Sequence, residues 1–148
     1  MNIRISIQTN DCDLASEIAV LNADGVGAVA TFSGLVRPDD NLTALILEHY
    51  PQMTEREIAR IVDEAQSRWP LIAVTIIHRI GRLTPGENIV FVGVSASHRS
   101  AAFAACEFLM DFLKTKAPFW KQEERGGAST WVEAKTSDDH AAERWHEK

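Results

Sequence analysis

Hydrophobic residues recur with period two at the start of the chain and as short continuous runs further along. Ile3, Ile5 and Ile7 alternate with polar residues, which predicts a strand with one buried face. The apolar run over 28–32 predicts a buried strand, and the run over 89–94 predicts a central strand of a sheet. Further strands are predicted over 45–50, 74–80, 119–123 and 130–134, the last two separated by a Gly-Gly turn.

Helical spacing and capping residues predict three helices. Asp13 is a capping residue for a short first helix, and Thr54 with Glu57 has the spacing of a capping box at the start of a second one. Pro70 ends that helix. A long third helix is predicted to begin at one of the serines of 97–100 and to end by about residue 116, because Pro118 follows. Its predicted core face consists of Ala102, Phe103, Cys106, Leu109, Met110 and Leu113.

The order of these elements indicates an α+β fold. Strands and helices mix without the strict βαβ rhythm of a parallel sheet, and the length of 148 residues is that of one domain. We therefore expect a single domain over 1–148. The segment from about 137 to 148 is polar, so we expect a tail that is free to flex unless Trp145 anchors it.

Composition narrows the class of protein. The chain carries 21 acidic and 15 basic residues, a net charge of −6, which argues against a general nucleic-acid-binding surface. No apolar run approaches the roughly 18 residues of a membrane helix, and the N-terminus lacks the pattern of a signal peptide. Cys12 and Cys106 are far apart and form no CxxC motif, so we expect a buried thiol at position 106 and a reducing, cytoplasmic setting.

A cluster of lysines stands out on this acidic chain. Lys114, Lys116 and Lys121 lie between Asp111 and Glu123, and no acidic residue separates them. The apolar residues around them suggest a cationic pocket for a small anion, where burial and a neighbouring ammonium can lower a lysine pKa. A cationic last helical turn, stabilised by the helix dipole, is the ordinary alternative. The residues alone leave both interpretations open.

Two more segments contain candidate anion-binding groups. His98 and Arg99 follow a predicted strand where the long helix begins, and backbone amides at a helix start bind anions. Arg37 follows Gly34 at the end of another strand, where a ligand can approach closely. A Ser-capped helix with exposed His and Arg remains the alternative for the first segment. The histidines have no metal-ligand spacing, so no zinc site is expected.

Taken together, these segments resemble the large, catalytic subunit of molybdopterin synthase. The similarity extends from about residue 3 to 145 and is carried by six stretches in the same order, namely TFSGLVR at 31–37, LEHYP at 47–51, IHRIG at 77–81, VGVSASHRS at 92–100, MDFLKTKAPFWK at 110–121 and WVEA at 131–134. The resemblance implies an α/β-hammerhead-type core with a small additional β subdomain. It also implies a sulfurtransferase of molybdenum cofactor biosynthesis.

The resemblance implies a partner and a substrate as well. A small ubiquitin-like subunit delivers sulfur as a thiocarboxylate on its C-terminal Gly-Gly, and two sulfurs convert cyclic pyranopterin monophosphate into the molybdopterin dithiolene. The large subunit forms a homodimer inside a heterotetramer. No metal or organic cofactor is needed, because the sulfur comes from the partner.

Site residues carry over by position. Lys114 and Lys121 match the two active-site lysines, and the substrate-binding positions correspond to Leu35, Val36, Arg37, His98, Arg99, Gln122 and Glu123. One departure is Leu35, where many relatives have lysine, so only a backbone contact is expected there. Two alternatives remain: a non-enzymatic adaptor for a ubiquitin-like Gly-Gly tail, and an unrelated phosphate-binding domain. The joint presence of both lysines with Arg37, His98 and Arg99 favours the enzyme.

Overall fold

The computed structural model describes residues 2–39, 41–132 and 136–145, of which 136–139 are described by their backbone alone. In chain order the elements are β1 (Asn2–Gln8), α1 (Leu14–Ala19), β2 (Ala28–Leu35), β3 (Leu42–His49), α2 (Met53–Arg68), β4 (Ala73–Arg79), β5 (Gly81–Leu83), β6 (Asn88–Ala96), α3 (Arg99–Thr115), β7 (Phe119–Arg125), β8 (Ala128–Val132) and α4 (Thr136–Glu143). The described strands form two four-stranded sheets, which confirms the α+β prediction with a small second β unit.

The first sheet has the strand order β1-β4-β6-β2. Strands β1 and β4 are parallel, and the other two pairs are antiparallel. Helices α2 and α3 cover one face, where Ile58, Val62 and Leu109 pack against Ile76 and Val92. The other face meets Leu21, just beyond α1. The run over 89–94 is therefore interior to the sheet, as its continuous apolar character predicts.

The second sheet has the order β5-β3-β7-β8, and every neighbouring pair is antiparallel. Leu45 and Leu47 on β3 pack with Leu83 on β5 and with Val36, which follows β2. Val36 is fully buried, so it joins the end of the first sheet to the inner face of the second. This junction brings β2, β3 and β7 to one end of the molecule.

Three burial predictions are wrong. Ile3, expected on a buried face of β1, is 44% exposed, although Ile5 and Ile7 pack against the core. The strand over 28–32 forms, but β2 is an edge strand of its sheet, and Val29 and Phe32 are 42% and 39% exposed. Phe103 was expected in the core, yet it is 66% exposed on α3, although the other predicted core residues of this helix are buried. The apolar pattern cannot tell a core from a surface that another chain could cover.

Two capping predictions are also wrong. Helix α2 begins two residues earlier than expected, because Glu55 Oε1 accepts a 2.9 Å hydrogen bond from the Gln52 amide. Thr54 is instead buried in the first turn, where its hydroxyl accepts from the Tyr50 amide and donates to the Pro118 carbonyl. Helix α3 has His98, not a serine, at its N-cap position, without a side-chain cap hydrogen bond. The cap of α1 at Asp13 is confirmed, with Oδ1 accepting from the Ser16 amide.

Candidate active site

Lys114 lies in the last turn of α3 and is exposed. The helix ends at Thr115, as the position of Pro118 predicts, and the Lys116 amide donates to the Phe112 carbonyl at 2.8 Å. Phe112 and Leu113 are buried beside Lys114, so the helix end is held by its apolar face while the ammonium reaches outward. The end of α3 is further tied to α2 through the hydrogen bond of Thr54 to Pro118.

Lys121 reaches the same region from β7. It is half-buried and lies opposite Leu47 of β3 and Val132 of β8. Side chains alternate along a strand, so Lys121 shares a face with Phe119, two residues earlier. This is the inner face of the second sheet, because Leu47 is buried there.

His78 lies near the ends of the two elements that carry these lysines. Its ring stacks on Phe119 with the centroids 3.9 Å apart and the planes 17° apart. Burial is the main cause that lowers the pKa of His78 to about 4; the hydrogen bond to Arg79 opposes this, and the charges of Lys114 and His49 add to it. Lys114 therefore lies close to the ring that Phe119 covers. The sequence analysis missed this residue, whose signal was a histidine inside a buried, otherwise mostly apolar strand.

The buried, neutral His78 should make the fold less stable as the pH falls. In the window between its unfolded pKa of 6.5 and its folded pKa of about 4, the unfolded chain binds more protons and is favoured. Replacing the ring in His78→Gln should remove roughly 2 kcal/mol of the stability difference between pH 7 and pH 5. Urea unfolding of wild type and His78→Gln at both pH values measures this difference. The carboxylates contribute equally to the pH dependence of both proteins, so their contribution cancels. The same pH dependence in both proteins would contradict the assignment.

Arg37 stands at the exit of β2 and is exposed. The preceding Val36 is fixed by two backbone hydrogen bonds of 2.8 Å, donating to the Glu87 carbonyl and accepting from the Gly86 amide. Val36 also packs in the cluster that contains Leu47, the residue opposite Lys121. Arg37 therefore belongs to the same end of the molecule as the two lysines. Leu35, half exposed, offers an apolar side chain there.

A buried arginine holds this end of the fold together. Arg79 is only 8% exposed and donates to the carbonyls of Thr9 and Asn88 and to the Glu87 carboxylate. Glu87 in turn accepts from the amide and hydroxyl of Thr84, which lowers the pKa of its carboxyl. The turn that positions Val36 is thus fixed by charge-assisted hydrogen bonds. The sequence analysis did not single out Arg79.

His98 and Arg99 lie at the opposite end of the first sheet. Both are exposed where β6 leads into α3. The Gly27 amide donates to the Ala96 carbonyl at 2.9 Å, and a Cβ at Gly27 would lie 2.2 Å from the Ser97 carbonyl oxygen. Only glycine permits this close approach, which sets the path of the chain into His98.

The length of β6 separates the two groups of predicted substrate contacts. Leu35 pairs with Asn88, the first residue of β6, and Ala28 pairs with Ala96, the last. Nine strand residues span roughly 25 Å at about 3.3 Å each. Within one chain the structure therefore brings Arg37, Lys114 and Lys121 to one end and leaves His98 and Arg99 at the other.

Comparison with known proteins identifies the family. The family model described as MoaE protein matches residues 7–116 of this chain. The chain belongs to the MoaE family. The molybdopterin synthase catalytic subunit of Vibrio cholerae is 52% identical over 149 residues, covering 98% of this chain and 99% of that protein. The protein of the same name from Escherichia coli is 59% identical over 125 residues, covering 82% of this chain and 83% of its own length.

A solved structure supports the assignment to the MoaE family. The molybdopterin biosynthesis MoaE protein from Burkholderia ambifaria superimposes with a TM-score of 0.84 at 51% identity, and 99% of each chain is covered. The similarity therefore extends over both sheets, including the β7–β8 unit that carries Lys121 beyond the matched family model.

In this MoaE family member, the two residues that follow Lys121 on β7 point to opposite faces of the sheet. Gln122 lies opposite Trp131 and Ile46, on the face away from Lys121. Glu123 returns to the face of Lys121, and its carboxylate accepts a 3.2 Å hydrogen bond from Arg125. Both are half-buried. Only Glu123 of this pair shares a side with the catalytic candidate.

The remaining reactive groups lie elsewhere. Cys12 and Cys106 are free thiols, and burial raises the pKa of Cys106 to about 11, which keeps it protonated. The expectation of a buried thiol at position 106 is confirmed. Across 2–39, 41–132 and 136–145, no three His, Cys, Asp or Glu residues form a group that could hold a metal ion. None of the helices in the described part of the chain is long and apolar enough to cross a membrane.

Proposed function

We propose that this chain is the catalytic subunit of a molybdopterin synthase, acting in the cytoplasm. It transfers two sulfurs from the C-terminal thiocarboxylate of a small ubiquitin-like subunit to cyclic pyranopterin monophosphate, forming the dithiolene of molybdopterin. The observation that carries the proposal is the stack of His78 and Phe119, which lies near Lys114 and two residues before Lys121 on the same strand, in a chain of the MoaE family.

The two lysines differ in setting, which suggests different roles. The thiocarboxylate sulfur attacks a carbon of the pterin, and a carbon–oxygen bond of the pterin breaks as the carbon–sulfur bond forms, with a proton delivered to the leaving oxygen. Water then attacks the resulting thioester through a tetrahedral oxyanion, which leaves the sulfur on the pterin and a carboxylate on the tail of the small subunit. Lys114, exposed at the helix end, is placed to act as a general acid/base or to stabilise that charge. Lys121, half-buried on the inner face of β7, binds substrate and assists.

The cationic residues other than the two lysines would bind the phosphate of the substrate. Arg37, His98 and Arg99 are exposed and can donate hydrogen bonds to phosphate oxygens. Leu35 lies beside Arg37, and Val36 contributes by fixing the exit of β2 through its backbone hydrogen bonds with Glu87 and Gly86. Beyond Lys121, Glu123 lies on the same face of β7 and Gln122 on the other. A phosphate cannot contact Arg37 and Arg99 of one chain together, because they lie at opposite ends of β6.

A homodimer resolves this separation. Strand β2 is an edge strand with Val29 and Phe32 exposed, and Phe103 is exposed on α3, which also packs near β2. A two-fold axis near the middle of β2 brings the Arg37 end of one chain to the His98 end of its partner. The exposed apolar side chains become buried in the same interface. Each phosphate site then takes Arg37 from one chain and His98 with Arg99 from the other.

One assay separates the proposed enzyme from its alternatives. The purified protein is mixed with the thiocarboxylated small subunit and cyclic pyranopterin monophosphate, and dithiolene formation is measured. We expect product only when the tail ends in a thiocarboxylate; a carboxylate tail is the matched control. Binding of both tails without product would identify an adaptor. Binding of the pterin phosphate without any binding of the small subunit would identify a phosphate-binding domain.

A further inference from the structure

The ring of His78 contacts the strand that carries Lys121 and lies near the helix that carries Lys114. It projects from β4 on the face that α2 and α3 cover, since Val74 and Ile76 of the same strand face pack in that core. Its flat contact is with Phe119, the first residue of β7. Lys114 of α3 is near enough for its charge to act on the ring.

A hydrogen bond to the next residue of β4 fixes the plane of the His78 ring. Nδ1 lies 2.9 Å from the Arg79 carbonyl oxygen, and because a carbonyl only accepts, Nδ1 donates. Arg79 is itself held through its guanidinium by the carbonyls of Thr9 and Asn88. The imidazole is therefore held rigidly on β4, which is itself paired with β1 and β6.

The first residues of β7 are held by backbone pairing with β3, where Phe119 lies opposite His49, and by the ring of Trp120 against Tyr50. The Phe119 amide donates to the Ala117 carbonyl at 2.8 Å, and the Pro118 carbonyl accepts from Thr54. On the side-chain face, the Phe119 ring rests on His78. Lys121 follows two residues later on that face, so the contact of Phe119 with His78 is the side-chain contact through which this face of β7 meets β4.

We propose that His78 is a positioning residue whose imidazole ring is the platform that fixes Phe119, and through it the placement of Lys121 on β7 relative to Lys114 on α3. The kinetic consequence rests on the proposed function, whereas the structural consequence does not. The groups that face the ring are Lys114 from α3 and His49 from β3, the latter 3.9 Å from Glu55.

Two substitutions separate the ring from its hydrogen bond. His78→Asn keeps an N–H donor near the position of Nδ1 but removes the stacked ring, whereas His78→Phe keeps a flat ring and loses the donor. Hydrogen–deuterium exchange of the peptide containing 119–125 should be about tenfold faster in His78→Asn and close to wild type in His78→Phe. In the assembled synthase, His78→Asn should lower kcat by about 10- to 100-fold with little change in KM, and His78→Phe should restore most of it.

A matched control excludes loss of stability as the cause. Val74→Ala empties a fully buried position on the same face of β4, away from β7, and should leave kcat unchanged at a temperature where all variants are folded. The proposal is overturned if His78→Asn leaves exchange and kcat unchanged, or if His78→Phe is as impaired as His78→Asn. If wild type makes no dithiolene, the proposed function fails, and the exchange data still decide whether His78 is the platform.

Discussion

Lys114→Ala should lower the rate of dithiolene formation by about 10²- to 10⁴-fold while the protein stays folded and still binds the small subunit. The ammonium is exposed at the end of α3, whereas the residues that hold the helix, Phe112 and Leu113, are untouched. The lost rate therefore reports the chemistry of the amine, through proton transfer or stabilisation of the oxyanion. Single-turnover kinetics with thiocarboxylated small subunit measures it directly.

The chain provides its own control for this experiment. Lys116 carries the same charge two residues further on, is also exposed, and has no assigned role. Lys116→Ala removes one positive charge from the same helix end. It should retain wild-type turnover, because we expect the rate to depend on the amine of Lys114 and not on the total positive charge of this helix end. Near-normal turnover of Lys114→Ala, or an equal loss in Lys116→Ala, would refute the catalytic assignment of Lys114.

Mixing two variants that bind the substrate poorly should restore activity at low substrate concentration. Arg37→Ala and Arg99→Ala are each expected to lose substrate affinity, because each removes a donor to the phosphate. If the site is shared across a two-fold axis, half of the dimers formed from an equal mixture contain both chains, and each such dimer has one intact site. Activity should then recover to about a quarter of the wild-type value after the chains are allowed to exchange.

The complementation experiment distinguishes the two arrangements sharply. If one chain supplied all the cations of a site, every site in the mixture would carry a lesion, and activity would stay at the level of the single variants. A suitable control mixes Arg37→Ala with Lys114→Ala, whose positions share one end of the chain. In this arrangement Arg37 and Lys114 of one site come from the same chain. Each site of a mixed dimer therefore carries one of the two substitutions, and that mixture should show no gain in activity.

Much of the architecture was predictable because local patterns decide it. The alternating isoleucines of β1, the Asp13 cap and the end of α3 before Pro118 all follow from short-range sterics and hydrogen bonding. The capping residues of α2 and α3 were not predictable in this way. At each of these helix starts, a tertiary contact competes for the expected side chain: Thr54 bonds Pro118, and Ser97 donates to the Gly25 carbonyl.

The candidate site was predictable only in part. The lysines and the exposed cations could be chosen from residue type and from resemblance, but His78 and Arg79 could not. Their importance comes from contacts between strands that are distant in sequence, such as His78 on Phe119 and Arg79 on Thr9. A buried histidine in an apolar strand is compatible with many environments, and only its neighbours distinguish them.

By itself, the sequence determined the α+β elements, the family of the chain and the set of cationic residues available for anion chemistry. Only the tertiary structure decided which of them meet. The strand order β1-β4-β6-β2 makes β2 an exposed edge and places Arg37 and His98 at opposite ends of β6. The physical reason is that strand order and burial depend on the packing of segments far apart in the chain, which local periodicity does not encode.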